Sequence, residues 1–200
     1  MKIKIGVMGS AQGPSIEGKT NIEKAEELGK EIAKQNCILV NGACPGLPDD
    51  AARGAKGEGG FCMGISPAFS MREHMEKFDS PVESYDIILF TGMGLMERDI
   101  VNIRSSDAII TVGGGIGTLN EFTVAFDEGK VVGVLTGTSG ISDNIPHIIE
   151  LCNRELTDNV VFDSDPEILV KKVIDKLKNT KQTIIEDERV VNHEFNPFQG

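Results

Sequence analysis

Short apolar runs alternate along the chain with longer segments in which apolar residues recur at helical spacing. The short runs predict buried β-strands and the periodic segments predict amphipathic α-helices. The predicted strands are 3–8, 38–41, 60–65, 87–90, 108–112, 131–135 and 160–162. The predicted helices are 21–34, 48–55, 95–105, 118–127, 144–153 and 165–178. Thr20 is the expected N-cap of the first helix, and Glu23 completes a capping box with it.

Strands that are apolar on both faces, each followed by a helix, are typical of parallel sheets with right-handed crossovers. The pattern therefore predicts an α/β fold: a single doubly wound, mostly parallel Rossmann-like sheet with helices on both faces. Residues 1–178 are expected to form this nucleotide-binding domain, and residues 179–200 a polar C-terminal tail. Within that tail, Ile184 and Ile185 could add a short strand.

The composition narrows the classes of partner. The formal net charge of −11 disfavours binding to nucleic acid or to an acidic membrane surface, because polyanions are repelled. No apolar run approaches the roughly 20 residues that span a bilayer. The four cysteines show no zinc-binding spacing, so no metal site is expected, and Cys44 is interpreted as packing although it could edge a pocket. We expect a cytoplasmic protein.

Glycines and small polar residues gather where the predicted strands end, above all in residues 113–118. A strand that turns through glycines into a helix presents unpaired N–H groups at the positive end of the helix dipole, which favours a phosphate. The predicted phosphate- or nucleotide-binding residues are Gly9, Ser10, Gly114, Gly115, Gly117 and Thr118. Glu121 lies one helical turn further on and is a candidate catalytic or ribose-binding acid.

Arg98 is the second candidate catalytic residue. It follows the fourth predicted strand, in a helix whose Met96, Ile100 and Ile103 are expected to face the core. Arg98 lies on a different stripe of that helix, close to the carboxyl edge of the sheet. Because a guanidinium group binds phosphate or carboxylate through two parallel hydrogen bonds, this position predicts contact with an anionic ligand.

Two segments match, in full or in part, other nucleotide-binding motifs. Residues 13–20 match the Walker A pattern GxxxxGK[ST], but Pro14 lacks an N–H and Glu17 brings negative charge, so a surface loop is favoured. The dinucleotide fingerprint GxGxxG fails after the fifth strand, because Thr118 replaces its third glycine. No bound NAD or other resident cofactor is expected.

The turn and Arg98 together resemble the LOG family of Rossmann-like proteins, long mislabelled lysine decarboxylases. That family carries PGGxGTxxE, which residues 113–121 match with Gly113 in place of proline. It also carries an upstream MxxRK-like segment, which residues 95–99 match with Leu95 for methionine and Asp99 for lysine. The resemblance extends from Lys2 to about Leu177.

This resemblance implies a phosphoribohydrolase, which cleaves the N-glycosidic bond of a nucleoside 5′-monophosphate to give base and ribose 5-phosphate. In such a site the turn would hold the phosphate, Glu121 would bind the ribose, and Arg98 would position the nucleotide. A related branch with a similar triple-glycine turn includes molybdenum-cofactor carrier proteins, so a non-catalytic cofactor or nucleotide binder is the alternative. The resemblance also implies a homodimer or larger homo-oligomer.

Overall fold

The structure is a computed structural model that describes residues 1–194, with side chains described for residues 1–180. The strands are β1 (Lys4–Gly9), β2 (Ile38–Asn41), β3 (Phe61–Ser66), β4 (Ile87–Phe90), β5 (Ala108–Val112), β6 (Val131–Leu135) and β7 (Val160–Asp163). The α-helices are α1 (Lys19–Lys34), α2 (Leu47–Gly57), α3 (Met71–Glu76), α4 (Leu95–Ser105), α5 (Ile116–Asp127), α6 (Ile145–Leu151) and α7 (Pro166–Glu194). Two 3-10 turns lie at Pro14–Ile16 and Ser142–Asn144.

The seven strands form one sheet in the order β4-β3-β2-β1-β5-β6-β7. Every described pairing between neighbours is parallel. The order reverses between β1 and β5, where Gly9 is in register with Val112. This is the doubly wound α/β fold that the sequence predicts, and its switch point lies beside the carboxyl ends of β1 and β5.

Apolar side chains cover both faces of the sheet. On one face, Ile110 of β5 packs in a core that includes Leu28 of α1 and Val173 of α7. On the other face, Ile109 packs in a second core that includes Ile103 of α4 and Phe122 of α5. Neighbouring residues of one strand thus enter opposite layers, as the alternation of side chains along a strand requires.

Three helix predictions are corrected by the structure. α1 begins at Lys19 with Gly18 as its N-cap and no side-chain cap, so Thr20 lies within the helix and the predicted capping box is wrong. The short helix α3 was not predicted. α7 continues to Glu194, so Ile184 and Ile185 lie in a helix rather than a strand, and residues 195–200 of the predicted tail lie outside the described residues.

Two expected core residues of α4 are exposed. Met96 and Ile100 are 46% and 39% exposed, whereas Ile103 is buried as predicted. The inward side of α4 is occupied instead by polar residues, including Arg98. Ile87 and Leu89 of the edge strand β4 are also exposed, and these two with Met96 and Ile100 are called the β4–α4 surface below. In the part of the chain that the structure describes, no helix has the length and apolar character needed to cross a membrane.

Candidate functional site

The glycine-rich turn after β5 lies at the switch point of the sheet. Gly113 and Gly114 both have positive φ, 61° and 103°, in the left-handed region that glycine adopts without strain. A Cβ at Gly140 would lie 2.3 Å from the carbonyl oxygen of Gly114, so the loop after β6 packs directly on this turn. The path of the chain here thus depends on glycine.

The first two amides of the turn are used inside the protein. The Gly113 N–H donates to Thr138 Oγ1 at 2.9 Å, and the Gly114 N–H donates to Ser10 Oγ at 2.7 Å. The structure therefore brings Ser10 and Gly114 together, but as partners of each other rather than as open ligand contacts. Gly9 permits close strand packing, since a Cβ there would lie 2.6 Å from the carbonyl oxygen of Val112.

The next four amides are not used. The N–H groups of Gly115, Ile116, Gly117 and Thr118 have no hydrogen-bond acceptor among the described residues, and Gly115, as N-cap, supplies no side-chain cap. Residues 115–117 are exposed, whereas the Thr118 side chain is buried against Gly114. An anion at this end of α5 would meet unpaired donors and the positive end of the helix dipole.

Arg98 is buried beside the end of β2. It is 5% exposed, and its Nε has no hydrogen-bond partner among the described residues. Its guanidinium group lies against Gly42, at the end of β2, where a Cβ would come within 2.0 Å of Nη1. Gly42 therefore provides the space that Arg98 occupies. An arginine with an unused buried donor is suited to binding an anionic or carbonyl group.

Glu121 is brought into the same region by the first turns of α5. It is 7% exposed, and its pKa is raised to about 8. Desolvation is the largest cause, and the nearby Asp99 raises the pKa further, whereas Arg98 and Asn102 lower it. At neutral pH this side chain is therefore mainly the uncharged acid.

Sequence reasoning assigned no role to three polar residues that lie near Arg98 and Glu121. Asp99 lies with Oδ1 3.7 Å from Arg98 Nη1, and its Oδ2 accepts a hydrogen bond from Asn120 Nδ2 at 3.0 Å. Asn102 is fully buried and donates to Met8 Sδ at 3.3 Å. A sequence signal for Asp99 was available, because it replaces the lysine of the family pattern.

Cys44 lies near the same groups, on the loop that follows β2. The residue is half-buried and forms no disulfide, and desolvation of its thiol raises the pKa to about 11. It is therefore uncharged at neutral pH. An uncharged thiol is not an activated nucleophile. This agrees with the interpretation of Cys44 as a packing residue.

As the sequence indicates, the segment that matches the Walker A pattern does not follow β1 directly. β1 ends at Gly9 and α1 begins at Lys19, with the 3-10 turn between them. The Lys19 ammonium group is 3.5 Å from Glu23, and both side chains are largely exposed. Within the described residues, Lys19 forms no hydrogen bond or ion pair with the turn after β5.

A separate apolar cavity of about 410 Å³ lies between α5 and α6. Phe122, Phe126, Ile149 and Cys152 are among its lining residues, and none of the predicted site residues lines it. We place the site at the turn, because phosphate chemistry requires polar donors rather than apolar volume. Within the described residues, no group of acidic, histidine and cysteine side chains could hold a metal ion.

The chain is similar in sequence and fold to known proteins. An uncharacterised protein of Archaeoglobus fulgidus is 37% identical over 133 residues, which cover 66% of this chain and 80% of that protein. The molybdenum cofactor carrier protein of Chlamydomonas reinhardtii is 29% identical, with a TM-score of 0.71, over 89% of this chain and 99% of that one. The molybdenum cofactor binding protein of Rippkaea orientalis is 28% identical, with a TM-score of 0.67, over 92% and 98%.

The profile of the SLOG cluster4 family, a LOG-like group, matches residues 2–185. The match spans the whole sheet and both parts of the site, the turn after β5 and the helix that carries Arg98. The resemblance to LOG-like proteins, including the molybdenum cofactor branch, is thereby confirmed. This chain belongs to the SLOG cluster4 family.

Proposed function

We propose that this chain binds a small organic phosphate monoester, of nucleotide or phosphorylated pterin type, and holds it without cleaving it. The observation that carries the proposal is the row of four unpartnered amides at the start of α5. Three of these residues are exposed, so a phosphate can reach them from solvent. No side chain of the described residues caps this helix, so its N-terminal N–H groups remain available to an anion.

Arg98 and Glu121 serve the organic part of the ligand in this proposal. Arg98 offers an unused Nε donor, and Glu121 offers a buried carboxyl group on the same helix as the amides. The net charge of −11 is no obstacle, because local donors and one guanidinium act at contact distance whereas the net charge is screened by salt.

Two observations support holding over cleaving. A carboxylate stabilises an oxocarbenium-like transition state through its negative charge, and Glu121 is mainly uncharged at neutral pH because its pKa is about 8. Two of the structural relatives compared above are described as a molybdenum cofactor carrier and a molybdenum cofactor binding protein. Both observations support a binding role.

Phosphoribohydrolase activity is the second candidate, and the same protonated Glu121 favours it in another way. A neutral Glu121 can donate its proton to the leaving base as the C1′–N bond breaks. Water then adds to C1′ and returns one proton to the Glu121 carboxylate, so the products are the free base and ribose 5-phosphate. Arg98 would position the nucleotide in this reaction.

The test is calorimetric titration with four nucleoside 5′-monophosphates (AMP, GMP, CMP and UMP) and the matching nucleosides. We expect at least one monophosphate to bind about tenfold or more tightly than its nucleoside. A Cβ at Gly117 would meet nothing within 4 Å, so Gly117→Asp should fold normally and abolish that gain through charge repulsion. Gly117→Asn, the neutral variant of the same shape, should retain most of it.

Chromatography of the same mixtures separates the two candidates. A carrier leaves the monophosphate intact over many hours. Free base that accumulates beyond one equivalent, and that is lost in Glu121→Gln, would replace the carrier proposal with the hydrolase. Equal affinity for nucleosides and monophosphates across the panel would overturn the phosphate site itself.

A further inference from the structure

We propose that Thr138, in the loop after β6, is a positioning residue that fixes the glycine-rich turn after β5. Its side chain touches no ligand, because Thr138 is fully buried. Its hydroxyl group instead holds the backbone of Gly113, so that the unpaired amides at the start of α5 keep one arrangement. The effect on ligand binding rests on the proposed function, whereas the effect on the turn does not.

The hydroxyl group of Thr138 has one orientation. It donates to the carbonyl oxygen of Leu135 at 2.6 Å and accepts from the Gly113 N–H at 2.9 Å. A hydroxyl group has one proton and a carbonyl oxygen can only accept, so the proton lies toward Leu135 and a lone pair faces Gly113. Thr138 thereby connects the end of β6 to a turn that lies 25 positions earlier in the chain.

The turn needs contacts from outside because its first two residues are glycines. Gly113 and Gly114 have positive φ values of 61° and 103°, and glycine adopts many other backbone conformations at little cost. The loop after β6 supplies the contacts that select one conformation. The Ser142 N–H donates to the Gly113 carbonyl oxygen at 2.9 Å, and the Ile141 N–H donates to that of Gly114 at 2.9 Å.

The loop that carries Thr138 is itself held in place. The Asp143 carboxylate accepts hydrogen bonds from the backbone N–H groups on both sides of Thr138, at 2.6 and 2.7 Å. From α1, Asn21 Nδ2 donates to the Thr138 carbonyl oxygen at 3.1 Å and to that of Ser15 at 3.0 Å. Ser15 belongs to the segment that matches the Walker A pattern, so this segment supports the loop after β6.

Loss of the Thr138 hydroxyl group should weaken phosphate binding although no contact to the phosphate is lost. The Gly113 N–H would become a buried donor without an acceptor, which favours other conformations of the turn. A ligand would then have to order the turn as it binds, and this ordering lowers affinity. Because the amides at the start of α5 follow the turn directly, the loss should concern the phosphate and not the rest of the ligand.

The experiment compares Thr138→Val, which keeps the shape and removes the hydroxyl group, with Thr138→Ser, which keeps the hydroxyl group. Calorimetry with the four monophosphates and their nucleosides measures the gain in affinity that the phosphate provides. We expect Thr138→Val to reduce this gain about tenfold and to leave nucleoside affinity within about twofold. Thr138→Ser should keep most of the gain. A merely structural role would lower both affinities together.

Thr91→Val is the matched control. Thr91 follows β4, and its hydroxyl group also donates to a carbonyl oxygen, that of Ser66 at 2.8 Å. It likewise accepts from a backbone N–H, that of Met93 at 3.3 Å. Neither bond involves the turn after β5. This variant should therefore leave the affinities for the monophosphates and the nucleosides unchanged.

Amide hydrogen exchange in the full chain without ligand tests the turn by itself. The Gly113 amide should exchange slowly in the native chain and in Thr138→Ser, and about tenfold or more faster in Thr138→Val. Thr138→Ala provides a second variant if the valine variant does not fold, and the same results are expected.

Unchanged exchange at Gly113 in the variants without the hydroxyl group would overturn the inference, and so would an undiminished gain from the phosphate. Because the exchange measurement needs no ligand, it is independent of the proposed function. Faster exchange in a chain that binds no monophosphate would leave the hold of Thr138 on the turn established and the proposed function overturned.

Discussion

Gly42 determines where the guanidinium group of Arg98 can lie. An added Cβ would come within 2.0 Å of Nη1 and 2.7 Å of Cζ, both at the far end of a flexible side chain. Gly42→Ala should therefore displace Arg98 at little cost in folding, with a loss in the free energy of unfolding of about 1 kcal/mol or less. We expect affinity for the tightest monophosphate of the panel to fall about tenfold, as measured by calorimetry.

Gly57→Ala is the matched control, because a Cβ at Gly57 would meet no atom within 4 Å. It should leave monophosphate affinity unchanged. If Gly42→Ala binds the monophosphate as tightly as the native chain, Arg98 has no part in binding. A Gly42→Ala chain that does not fold would show instead that the contact is structural.

The residues of the site were only partly predictable from the sequence. The turn and Arg98 were found because glycine and arginine at a strand end carry local chemical meaning. The contact of Ser10 with Gly114 spans 104 positions, and that of Asp99 with Asn120 spans 21. No local pattern encodes such pairs, since they depend on how β1, α4 and α5 are placed by the whole fold.

At the scale of elements, α1 and α2 approach each other through two glycines. A Cβ at Gly29 would lie 1.8 Å from the carbonyl oxygen of Ala51, and one at Gly54 would lie 1.9 Å from that of Glu26. Each glycine thus faces the backbone of the other helix. Backbone cannot rotate away as a side chain can, so the spacing of the two helices depends on these positions.

Gly29→Ala should therefore destabilise the chain, although alanine is the better helix former. We expect a loss of about 2 kcal/mol or more in the free energy of unfolding, from urea denaturation followed by circular dichroism. Gly57 lies on α2, and a Cβ there would meet no atom within 4 Å. Gly57→Ala should therefore not destabilise the chain and should raise the free energy of unfolding by at most about 1 kcal/mol. Equal stabilities of the two variants would contradict the close approach.

The bounds of an element were predictable where the pattern of apolar residues defines them. β2, β4, β5 and β6 have the predicted bounds, because their short apolar runs end in glycine or polar residues. α3 was missed because it has six residues, although Ser70 accepts a hydrogen bond from the Glu73 N–H as its N-cap. The helix α7 passes the predicted end because no glycine or proline interrupts residues 179–194.

At the scale of the whole molecule, the described residues leave the β4–α4 surface exposed. Ile88 is in register with Gly64, and a Cβ at Gly64 would lie 3.4 Å from the Ile88 side chain. Ile87 and Leu89 therefore point to the other face of the sheet. These strand residues are each 47% exposed, and α4 adds Met96 and Ile100. Large exposed apolar residues are typical of contacts between proteins where they form a continuous patch.

We expect this surface to join two copies of the chain, in line with the oligomer that the family resemblance implies. Met96→Glu with Ile100→Glu should weaken self-association about tenfold or more, measured by light scattering across a dilution series. Leu156→Glu is the matched control, because Leu156 is also 47% exposed but lies outside this surface. A native chain that is monomeric at all concentrations would contradict the expectation.

The cavity between α5 and α6 gives the chain a natural attachment point for a reporter dye. Cys152 is exposed there, whereas Cys37 and Cys62 are buried and Cys44 is a weakly acidic thiol. A maleimide fluorophore should thus couple at Cys152 first, since reaction requires an accessible thiolate. The dye would sit beside the far half of the helix whose opposite end carries the unpaired amides. The chain has no tryptophan whose fluorescence could report binding. The fluorescence of the dye would instead show when an anion occupies those amides, with no cysteine added to the native sequence.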